Sequence, residues 1–462
     1  MKNWEGMYLS REQAEKITEG AGKVLEEIGI KVTDKKSEER LEHCPGITMK
    51  DHRAFIERKL YEEFMEKQKK IKTPKDKHGN RLHGEASLYT YQYRDVQDKK
   101  IKEYTMESLG EYAAFVEKAS KRYPLNPVIP GYPCDVPKEL SSLARYKIAA
   151  ENCSRCWPLA PDSLKAAEYL FEMSQVMGQP MKHLPVYMIS PLTYGGDSLE
   201  IVLENKERLD SFYTFAMPNL GVTTPMNLSM GFATALAEVA GGAVLTEALT
   251  GLSGEIRANL FPFDFRDFNI AFGSPEKFLM ERMAAELAAY IHEEEPDYSS
   301  TNIHTWGKSA DGRTGMEKGM MIMAGALHGA KRFYCVGTLS LDELFDPLCM
   351  IQDLEAISFA QQICDGTVAD CMESTFLEEM REGIQRGFVG SDRSLDDYGE
   401  YVKSRAFSPK ETLQKWMQTG EKGAEDILKE ICLDILKEPG EYELEKEKRR
   451  ELDKIYRAAV ER

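Results

Sequence analysis

The sequence is short of positive charge. Its 60 lysine and arginine residues are outnumbered by 77 aspartate and glutamate residues, which gives a formal net charge of −17 over 462 residues. A nucleic-acid-binding protein needs a basic face to neutralise phosphates, and docking on anionic lipid needs one as well. The charge therefore argues against both classes of function, and its simplest interpretation is solubility.

Long apolar runs are also lacking. The opening residues, MKNWEGMYLSREQ, contain no apolar stretch of the kind a signal peptide has, so we expect none. The longest weakly polar segment, Met226–Leu252, is interrupted by Glu238 and Glu247, which predicts a buried helix rather than a membrane span. The nine cysteines are scattered and odd in number. They fit reduced thiols, and we expect a cytoplasmic protein.

Motifs for nucleotides and structural metals are missing. Neither Gly195-Gly196 nor Gly241-Gly242 stands in a phosphate-loop pattern. A CxxC motif spans Cys153–Cys156, but a structural zinc site needs two further ligands at suitable spacing. The sequence therefore predicts no nucleotide site and no metal.

What the sequence does contain is a succession of strand, loop and helix. The strand-like run Phe212–Met217 leads into the loop MPNLGVTTP and then into a helix rich in alanine and glycine. Amphipathic segments such as Asp162–Met177 and Pro275–His292 predict further helices. Other candidate strands are Pro127–Gly131, Cys156–Ala160, Pro185–Ser190, Leu252–Asn259, Ser299–Thr305 and Arg332–Gly337. This alternation predicts an α/β fold, a TIM (β/α)8 barrel, whose eighth strand is sought between residues 366 and 392.

The flanking segments predict extensions to the barrel. Ser10 and Gln13 form a capping box ahead of a helix that Gly29 can end, and Ser87–Lys102 reads as a β-hairpin. Residues 422–438 are helical and precede a charged terminal helix that we expect to be solvated. The predicted domains are 1–120, helical with a hairpin; 121–420, the barrel with the active site; and 421–462, C-terminal helices.

Several segments in this order resemble one known family. They are LSREQAEKITEGAGKVLEEIGIKV near the start, Asp135–Leu159, Ile189–Glu200, MPNLGVTTP with its helix, Gly273–Ile291 and Val336–Ile357. Together they resemble the trimethylamine methyltransferase (MttB) superfamily over nearly the whole chain. The resemblance implies a TIM barrel that transfers a methyl group from a methylated amine to the Co(I) of a separate corrinoid protein. It also implies a homo-oligomer with no directly bound cofactor, because the partner supplies the corrinoid (cobalamin).

The resemblance also implies a class of substrate. Members specific for trimethylamine carry pyrrolysine in the loop after the sixth strand, and this chain has no such residue. Register against Gly315–Lys318 puts the corresponding position near His304, which we take as the candidate catalytic residue. Members without pyrrolysine act on quaternary amines such as glycine betaine, proline betaine or carnitine.

Aromatic residues after the predicted strands are candidates for binding a quaternary ammonium through cation–π contacts. Phe263 and Phe265 follow the fifth strand with Arg266, which suits a substrate carboxylate. The alternative is that these rings plug the barrel and Arg266 pairs with Asp264 or Asp267. The remaining substrate-binding candidates are Trp306, Tyr194, Tyr91, Tyr93, Thr223 and Asn227, although Thr224 and its neighbours can equally serve as helix caps.

Two other functions stay open at this point. A metal-assisted barrel methyltransferase would use a zinc site such as His304 with Cys335 and Cys364. We expect no metal, because a quaternary amine offers it nothing to activate. The non-enzymatic alternative is a homologue that binds a betaine without turning it over.

Overall fold

The computed structural model describes residues 6–72, 79, 81–86, 89–157, 160–366, 373–401, 406–407 and 411–461. Its α-helices are α1 (Arg11–Glu27), α2 (Lys35–Leu41), α3 (Arg58–Gln68), α4 (Met106–Arg122), α5 (Ser141–Asn152), α6 (Leu164–Val176), α7 (Asp197–Glu204), α8 (Leu228–Thr250), α9 (Pro275–His292), α10 (Gly312–Leu327), α11 (Pro347–Asp365), α12 (Phe376–Arg386), α13 (Asp392–Tyr401), α14 (Leu413–Gln418), α15 (Ala424–Lys437) and α16 (Lys446–Glu461). Its strands are β1 (Ile30–Val32), β2 (Ile47–Lys50), β3 (Arg53–Ile56), β4 (His83–Ala86), β5 (Gln92–Arg94), β6 (Ile101–Glu103), β7 (Leu125–Asn126), β8 (His183–Tyr187), β9 (Thr193–Tyr194), β10 (Ser211–Phe215), β11 (Ser253–Arg257), β12 (Phe263–Asp264), β13 (Asn269–Ile270), β14 (Ser300–Asn302), β15 (Arg332–Val336), β16 (Thr338–Leu339) and β17 (Leu344–Phe345).

Seven parallel strands are arranged in the order of a β/α barrel. One sheet has the order β11-β10-β8 and another the order β14-β15-β4-β7, and every pairing within them is parallel. In chain order these strands are β4, β7, β8, β10, β11, β14 and β15. Each strand pairs with a strand that is next to it in this order, except that the last, β15, also pairs with the first, β4. Pairing of last with first is how a (β/α)8 barrel closes, so the predicted α/β fold is confirmed.

The strand that the sequence left unplaced is β4. It pairs His83 with Arg332 of β15 and Gly84 with Leu125 of β7. The eighth strand predicted between residues 366 and 392 is therefore wrong. The helix α12 lies in that region, of which residues 367–372 lie outside the described residues. The sheet also begins earlier than the boundary predicted at residue 120. The predicted strand Cys156–Ala160 includes residues 158 and 159, which lie outside the described residues.

The parallel strands turn alternate side chains toward the helices. Thr214 of β10 donates from Oγ1 to the carbonyl oxygen of Val239 on α8 at 2.8 Å. A Cβ on Gly254 of β11 would meet Phe212 and Ala243, so the face of the sheet that points toward the helices is closely packed. Because side chains alternate along a strand, Tyr213 and its in-register neighbours lie on the opposite face, inside the barrel.

Most other predicted elements are confirmed. The capping box of Ser10 with Gln13 begins α1, α9 has the predicted bounds Pro275–His292, and five candidate strands correspond to β8, β10, β11, β14 and β15. The predicted hairpin is β5 paired antiparallel with β6. The terminal helix α16 is more packed than expected, because its Leu452 and Ala459 are buried and Lys147 of α5 contacts Asp453 at 2.9 Å.

The small-residue helix α8 is part of the core. Its length and apolar composition would suit a membrane span, but 72% of that window is buried inside the protein. Gly241 and Gly242 leave no room for a side chain against Ile30, Leu25 and Met188. Small residues therefore let α8 approach α1 and the sheet closely, as the predicted buried helix requires.

A buried carboxyl on α8 gives the fold a pH dependence. Glu238 accepts from the backbone N–H of Leu192 at 2.9 Å and from the Ser190 hydroxyl at 2.7 Å. Burial raises the pKa of Glu238, and these two hydrogen bonds oppose the rise. The folded protein therefore keeps this proton to higher pH than the unfolded chain, so the group's stabilising contribution is lost as pH rises above about 4.5.

We expect Glu238→Gln to be about 1 kcal/mol more stable than the parent at pH 8. At that pH the parent carries the cost of a buried glutamate that favours its neutral form, whereas the amide of glutamine is always neutral. This difference in the free energy of unfolding should become smaller as the pH falls toward about 4.5, because the buried carboxyl of the folded parent then binds its proton. Urea unfolding of both proteins between pH 4.5 and 8 measures this. Parallel stability curves across that range would contradict the argument.

Candidate active site

Three parallel strands end side by side at the carboxyl end of the barrel. Tyr187 of β8, Phe215 of β10 and Arg257 of β11 are in register at their last positions. The Tyr187 and Phe215 rings meet edge to face, with centroids 6.4 Å apart. One layer below, Tyr213 lies under the guanidinium of Arg257, 5.0 Å from its ring centroid. The carboxyl ends of barrel strands are where such folds place their chemistry.

Four tyrosines form a cluster across this end of the barrel, namely Tyr89, Tyr132, Tyr187 and Tyr213. Burial raises the pKa of Tyr187, and the phenols of the other three raise it further. Burial also raises the pKa of Tyr132 to about 12, although Arg145 opposes the rise. These phenols therefore stay neutral at physiological pH and offer uncharged aromatic faces. Tyr187 remains 42% exposed, so its face is accessible.

Two arginines border the tyrosine cluster. Arg145 is buried on α5, donates to the carbonyl oxygen of Gly131 at 3.1 Å, and sits 4.9 Å from the Tyr132 ring centroid. Arg257 is exposed at the end of β11. Guanidinium groups beside aromatic rings supply donors for a carboxylate while the rings supply faces for a cation.

His304 lies at the end of β14 and meets two polar groups. Its Nε2 is 3.2 Å from the Cys335 Sγ and 3.2 Å from the Asp342 Oδ1. The ring stacks on Phe272 with centroids 4.6 Å apart, and its side chain is only 11% exposed. Burial raises the pKa of Cys335 well above its usual range, with Asp342 adding to the rise. The free group is therefore a thiol, which is a poor nucleophile.

The backbone at Cys335 is held in an unusual conformation. Its φ is +70°, in the left-handed region, and the β15–β4 register shifts between Tyr334 and Val336 as in a β-bulge. Buried Lys318 donates to the Cys335 carbonyl oxygen at 3.1 Å and to Asp353 Oδ2 at 2.5 Å, and the same Asp353 oxygen accepts from Gly337 N–H at 2.8 Å. Bulges re-aim side chains and strain collects at functional sites, so this network directs Cys335 toward His304.

The predicted aromatic loop after β11 forms a small unit of its own. Phe263 packs edge to face with Phe265, with centroids 5.4 Å apart, inside the β12–β13 hairpin. Arg266 is 88% exposed and is paired with Asp264 at 2.6 Å, which is the alternative that the sequence left open. Among the described residues, no hydrogen bond, ion pair or ring contact joins Phe263, Phe265 or Arg266 to the tyrosine cluster.

Arg266→Ala should therefore change the activity of a site at this end of the barrel by less than about twofold, because Arg266 is exposed and paired with Asp264 within its own hairpin. Steady-state kinetics with and without the substitution measure this. A fall in kcat/KM of tenfold or more would place Arg266 in the site despite its exposure.

The predicted tyrosines have different surroundings. Tyr194 is fully buried, and its hydroxyl is 2.9 Å from that of Thr246, so the ring is used in packing. Tyr93 is buried against Tyr104 and Tyr112. Tyr91 is exposed and stacks on Tyr132 with centroids 5.6 Å apart, which puts it at the rim of the tyrosine cluster.

The other predicted residues serve local structure. Trp306 donates from its indole nitrogen to the carbonyl oxygen of Ile270 at 2.9 Å. The Thr223 hydroxyl accepts from Asn219 N–H at 2.8 Å, and Asn227 caps α8 by accepting from Met230 N–H. Of the predicted set, Tyr91 contacts the tyrosine cluster and His304 contacts Cys335 and Asp342.

Sequence reasoning missed Tyr187, Tyr213, Arg257, Tyr132, Tyr89 and Arg145. A signal existed for the strand residues, because aromatic and charged side chains at alternate positions of a barrel strand point into the barrel. Asp342 was missed as well. It stands in the turn between β16 and β17, which comes back toward His304 because Leu341 N–H donates to the Thr305 carbonyl oxygen at 2.8 Å.

Fold and site together define an α/β barrel with a cluster of aromatic and cationic side chains at the carboxyl ends of its strands. The chain belongs to the trimethylamine methyltransferase (MTTB) family, whose sequence model matches residues 146–460. The resemblance noted from the sequence is thereby confirmed.

Individual relatives are distant. The trimethylamine methyltransferase MttB of Methanosarcina thermophila is 23% identical over 292 residues, covering 62% of this chain and 58% of that protein. MttB2 of Methanosarcina mazei is 24% identical over 59% of this chain and 54% of its own length. The chain thus spans less than two thirds of either protein. The glycine betaine methyltransferase of Desulfitobacterium hafniense is 24% identical over 70% of this chain and 69% of its own length.

Among solved structures, the monomethylamine methyltransferase MtmB of Methanosarcina barkeri is similar to this chain. It aligns with a TM-score of 0.44 and 14% identity over 94% of this chain and 93% of that one.

Proposed function

We propose that this chain transfers a methyl group from a betaine-type quaternary amine to the Co(I) of a separate corrinoid protein and releases a tertiary amine. The observation that carries the proposal is the tyrosine cluster beside Arg257 at the carboxyl end of the barrel. Family membership and the glycine betaine methyltransferase among the relatives support the same reaction class. The sequence contains no pyrrolysine, which fits a quaternary rather than a tertiary amine.

The chemistry suits these residues. A quaternary ammonium has neither lone pair nor proton, so its methyl group leaves only by direct displacement. Attack by Co(I) releases a neutral amine, and no general acid is required. Because charge is annihilated along the reaction, an aromatic site that excludes water and aligns the methyl group lowers the barrier. The neutral phenols of the tyrosine cluster provide aromatic faces against which the ammonium group can be aligned.

The bordering arginines favour a substrate that carries a carboxylate. A bare quaternary ammonium would be repelled by Arg257 and Arg145, whereas a betaine places its carboxylate where the donors of the exposed Arg257 lie. Arg257 thus takes the role that the sequence assigned to Arg266. Glycine betaine, proline betaine and carnitine all meet this requirement.

The decisive experiment follows the cobalt absorbance of a reduced corrinoid protein mixed with the purified chain and a panel of methylated amines. Formation of methyl-Co(III) with one quaternary amine supports the proposal and identifies the donor. A competent control methyltransferase must methylate the same corrinoid. If the control works and the chain methylates nothing, while still binding a betaine by calorimetry, the chain is a binding homologue without turnover.

A second function is favoured by one observation, the convergence of His304, Cys335 and Asp342. In this alternative the chain is a metal-assisted barrel methyltransferase that acts on another small molecule. Methylation of the corrinoid by a neutral donor, lost on treatment with a chelator, would favour it over the first proposal.

The remaining expectations accompany the main proposal. They are a cytoplasmic homo-oligomer, a corrinoid protein as partner, no corrinoid bound by the chain itself, and the division into residues 1–120, 121–420 and 421–462, with the sheet now extending back to β4.

A further inference from the structure

Three side chains from different segments converge at the ends of β14 and β15. The ligand atoms of His304, Cys335 and Asp342 lie within 4.8 Å of one another. His304 stands two residues after the end of β14, Cys335 is the bulged residue of β15, and Asp342 stands in the turn between β16 and β17. We propose that His304 Nε2, Cys335 Sγ and Asp342 Oδ1 bind a divalent metal ion of the zinc class.

The contacts around His304 favour a metal over a hydrogen-bonded triad. In a nucleophilic triad the acid hydrogen-bonds to the second ring nitrogen and orients the base. Here both the thiol and the carboxylate approach the same nitrogen, Nε2, each at 3.2 Å. One nitrogen carries at most one proton and cannot serve both partners. His304 Nδ1 is buried with no hydrogen-bond partner among the described residues, and Asp342 Oδ1 likewise.

The distances fit zinc. Bonds of about 2.0–2.3 Å in a tetrahedral site put nitrogen, sulfur and oxygen ligands about 3.4–3.6 Å apart. The two observed separations of 3.2 Å need only a small outward shift. Imidazole, thiolate and carboxylate are also a ligand mixture that zinc accepts, and three protein ligands leave one position open.

Nearby lysines do not block the site, because each is paired with a carboxylate of its own. Lys318 is held by Asp353 at 2.5 Å, and Lys277 by Glu281 at 3.2 Å. The ligand side chains are also held in position before any metal binds. The Phe272 ring supports the imidazole, and the turn carrying Asp342 is tied to the His304 loop by Ser340 N–H donating to the Gly307 carbonyl oxygen at 2.8 Å.

The open position gives the metal a chemical role. Tyr89 of the tyrosine cluster interacts electrostatically with both Cys335 and Asp342, so the metal site adjoins the proposed substrate site. A substrate oxygen, from a carboxylate or hydroxyl group, is the ligand that fits an open zinc position. The metal proposal itself stands independently of the methyl donor, because metal binding is measured without turnover.

The test is the metal content of the full-length chain. Protein stripped with a chelator is dialysed against zinc, then against buffer, and analysed by mass spectrometry. We expect about one zinc ion per chain in the parent. Cys335→Ser and His304→Ala should retain less than about a tenth of this, with circular dichroism confirming that both are folded. Cys364→Ser is the matched control, because Cys364 is an exposed thiol on α11 outside the cluster.

Cobalt(II) provides a second readout. Reconstitution should give a near-ultraviolet thiolate-to-cobalt band that is present in Cys364→Ser and absent in Cys335→Ser. The proposal is overturned if folded parent protein retains almost no zinc. It is also overturned if Cys335→Ser and His304→Ala keep as much zinc as Cys364→Ser, which would indicate binding elsewhere on the surface.

Discussion

Tyr187→Ala should raise the KM for the proposed quaternary amine substrate about 30-fold, the equivalent of about 2 kcal/mol for a desolvated cation–π contact. Tyr187→Phe should keep KM within about threefold, because the aromatic face remains. The reason is the accessible ring of Tyr187 at the end of β8, beside Phe215 and above Tyr213. Steady-state corrinoid methylation or calorimetric titration with the donor measures the effect.

Tyr398→Ala serves as the control for this experiment. Tyr398 is exposed on α13, far along the chain from the barrel strands, and its loss should leave KM unchanged. Equal losses in Tyr187→Phe and Tyr187→Ala would mean that the hydroxyl group, not the ring, is what the substrate needs. An unchanged KM in Tyr187→Ala would remove the tyrosine cluster from substrate binding.

Lys318→Met should lower the free energy of unfolding by about 3–5 kcal/mol, because it leaves Asp353 buried without its partner. Lys318 and Asp353 are 1% and 2% exposed, so solvent screens their interaction little. The substitution also releases the carbonyl oxygen of Cys335. Chemical denaturation measures the loss, and a corresponding fall in zinc retention would link this pair to the position of Cys335.

A double variant separates charge from packing. Lys318→Met combined with Asp353→Leu removes both charges and should recover part of the lost stability. The remaining loss reflects the Gly337 N–H and the Cys335 carbonyl oxygen, which both lose their partners. Arg386→Met is the surface control, because its pairing with Glu382 is largely exposed and should contribute no measurable stability. If Lys318→Met is as stable as the parent, Asp353 does not depend on Lys318 as its buried charge partner.

The sequence predicted those strands whose own residues carry the signal. β10 and β15 are rich in aromatic and β-branched residues, and the helix α9 begins at Pro275 after a serine cap. β4 has the sequence HGEA, which has no strand propensity of its own. It is a strand because β15 and β7 pair with it on both sides, and because Gly84 allows Val336, Leu354 and Ile357 to approach.

The site was less predictable than the fold for a related reason. Position along the sequence identifies residues that follow a strand, but only three-dimensional register shows which ones face the barrel. Phe263 and Phe265 follow β11 yet pack on each other in a separate hairpin. Arg257 lies within the predicted strand, and its place beside Tyr213 depends on the β10–β11 register.

Closure of the ring by β4 and β15 also has a consequence during synthesis on the ribosome. His83 of β4 pairs with Arg332 of β15, and the ribosome adds Arg332 about 10–50 seconds after His83 at ordinary elongation rates. Throughout that interval one edge of β4 has no partner, and contacts of such long sequence separation form slowly. The nascent chain therefore passes through a stage with an open strand edge, at which chaperones or premature self-association decide the yield of folded protein.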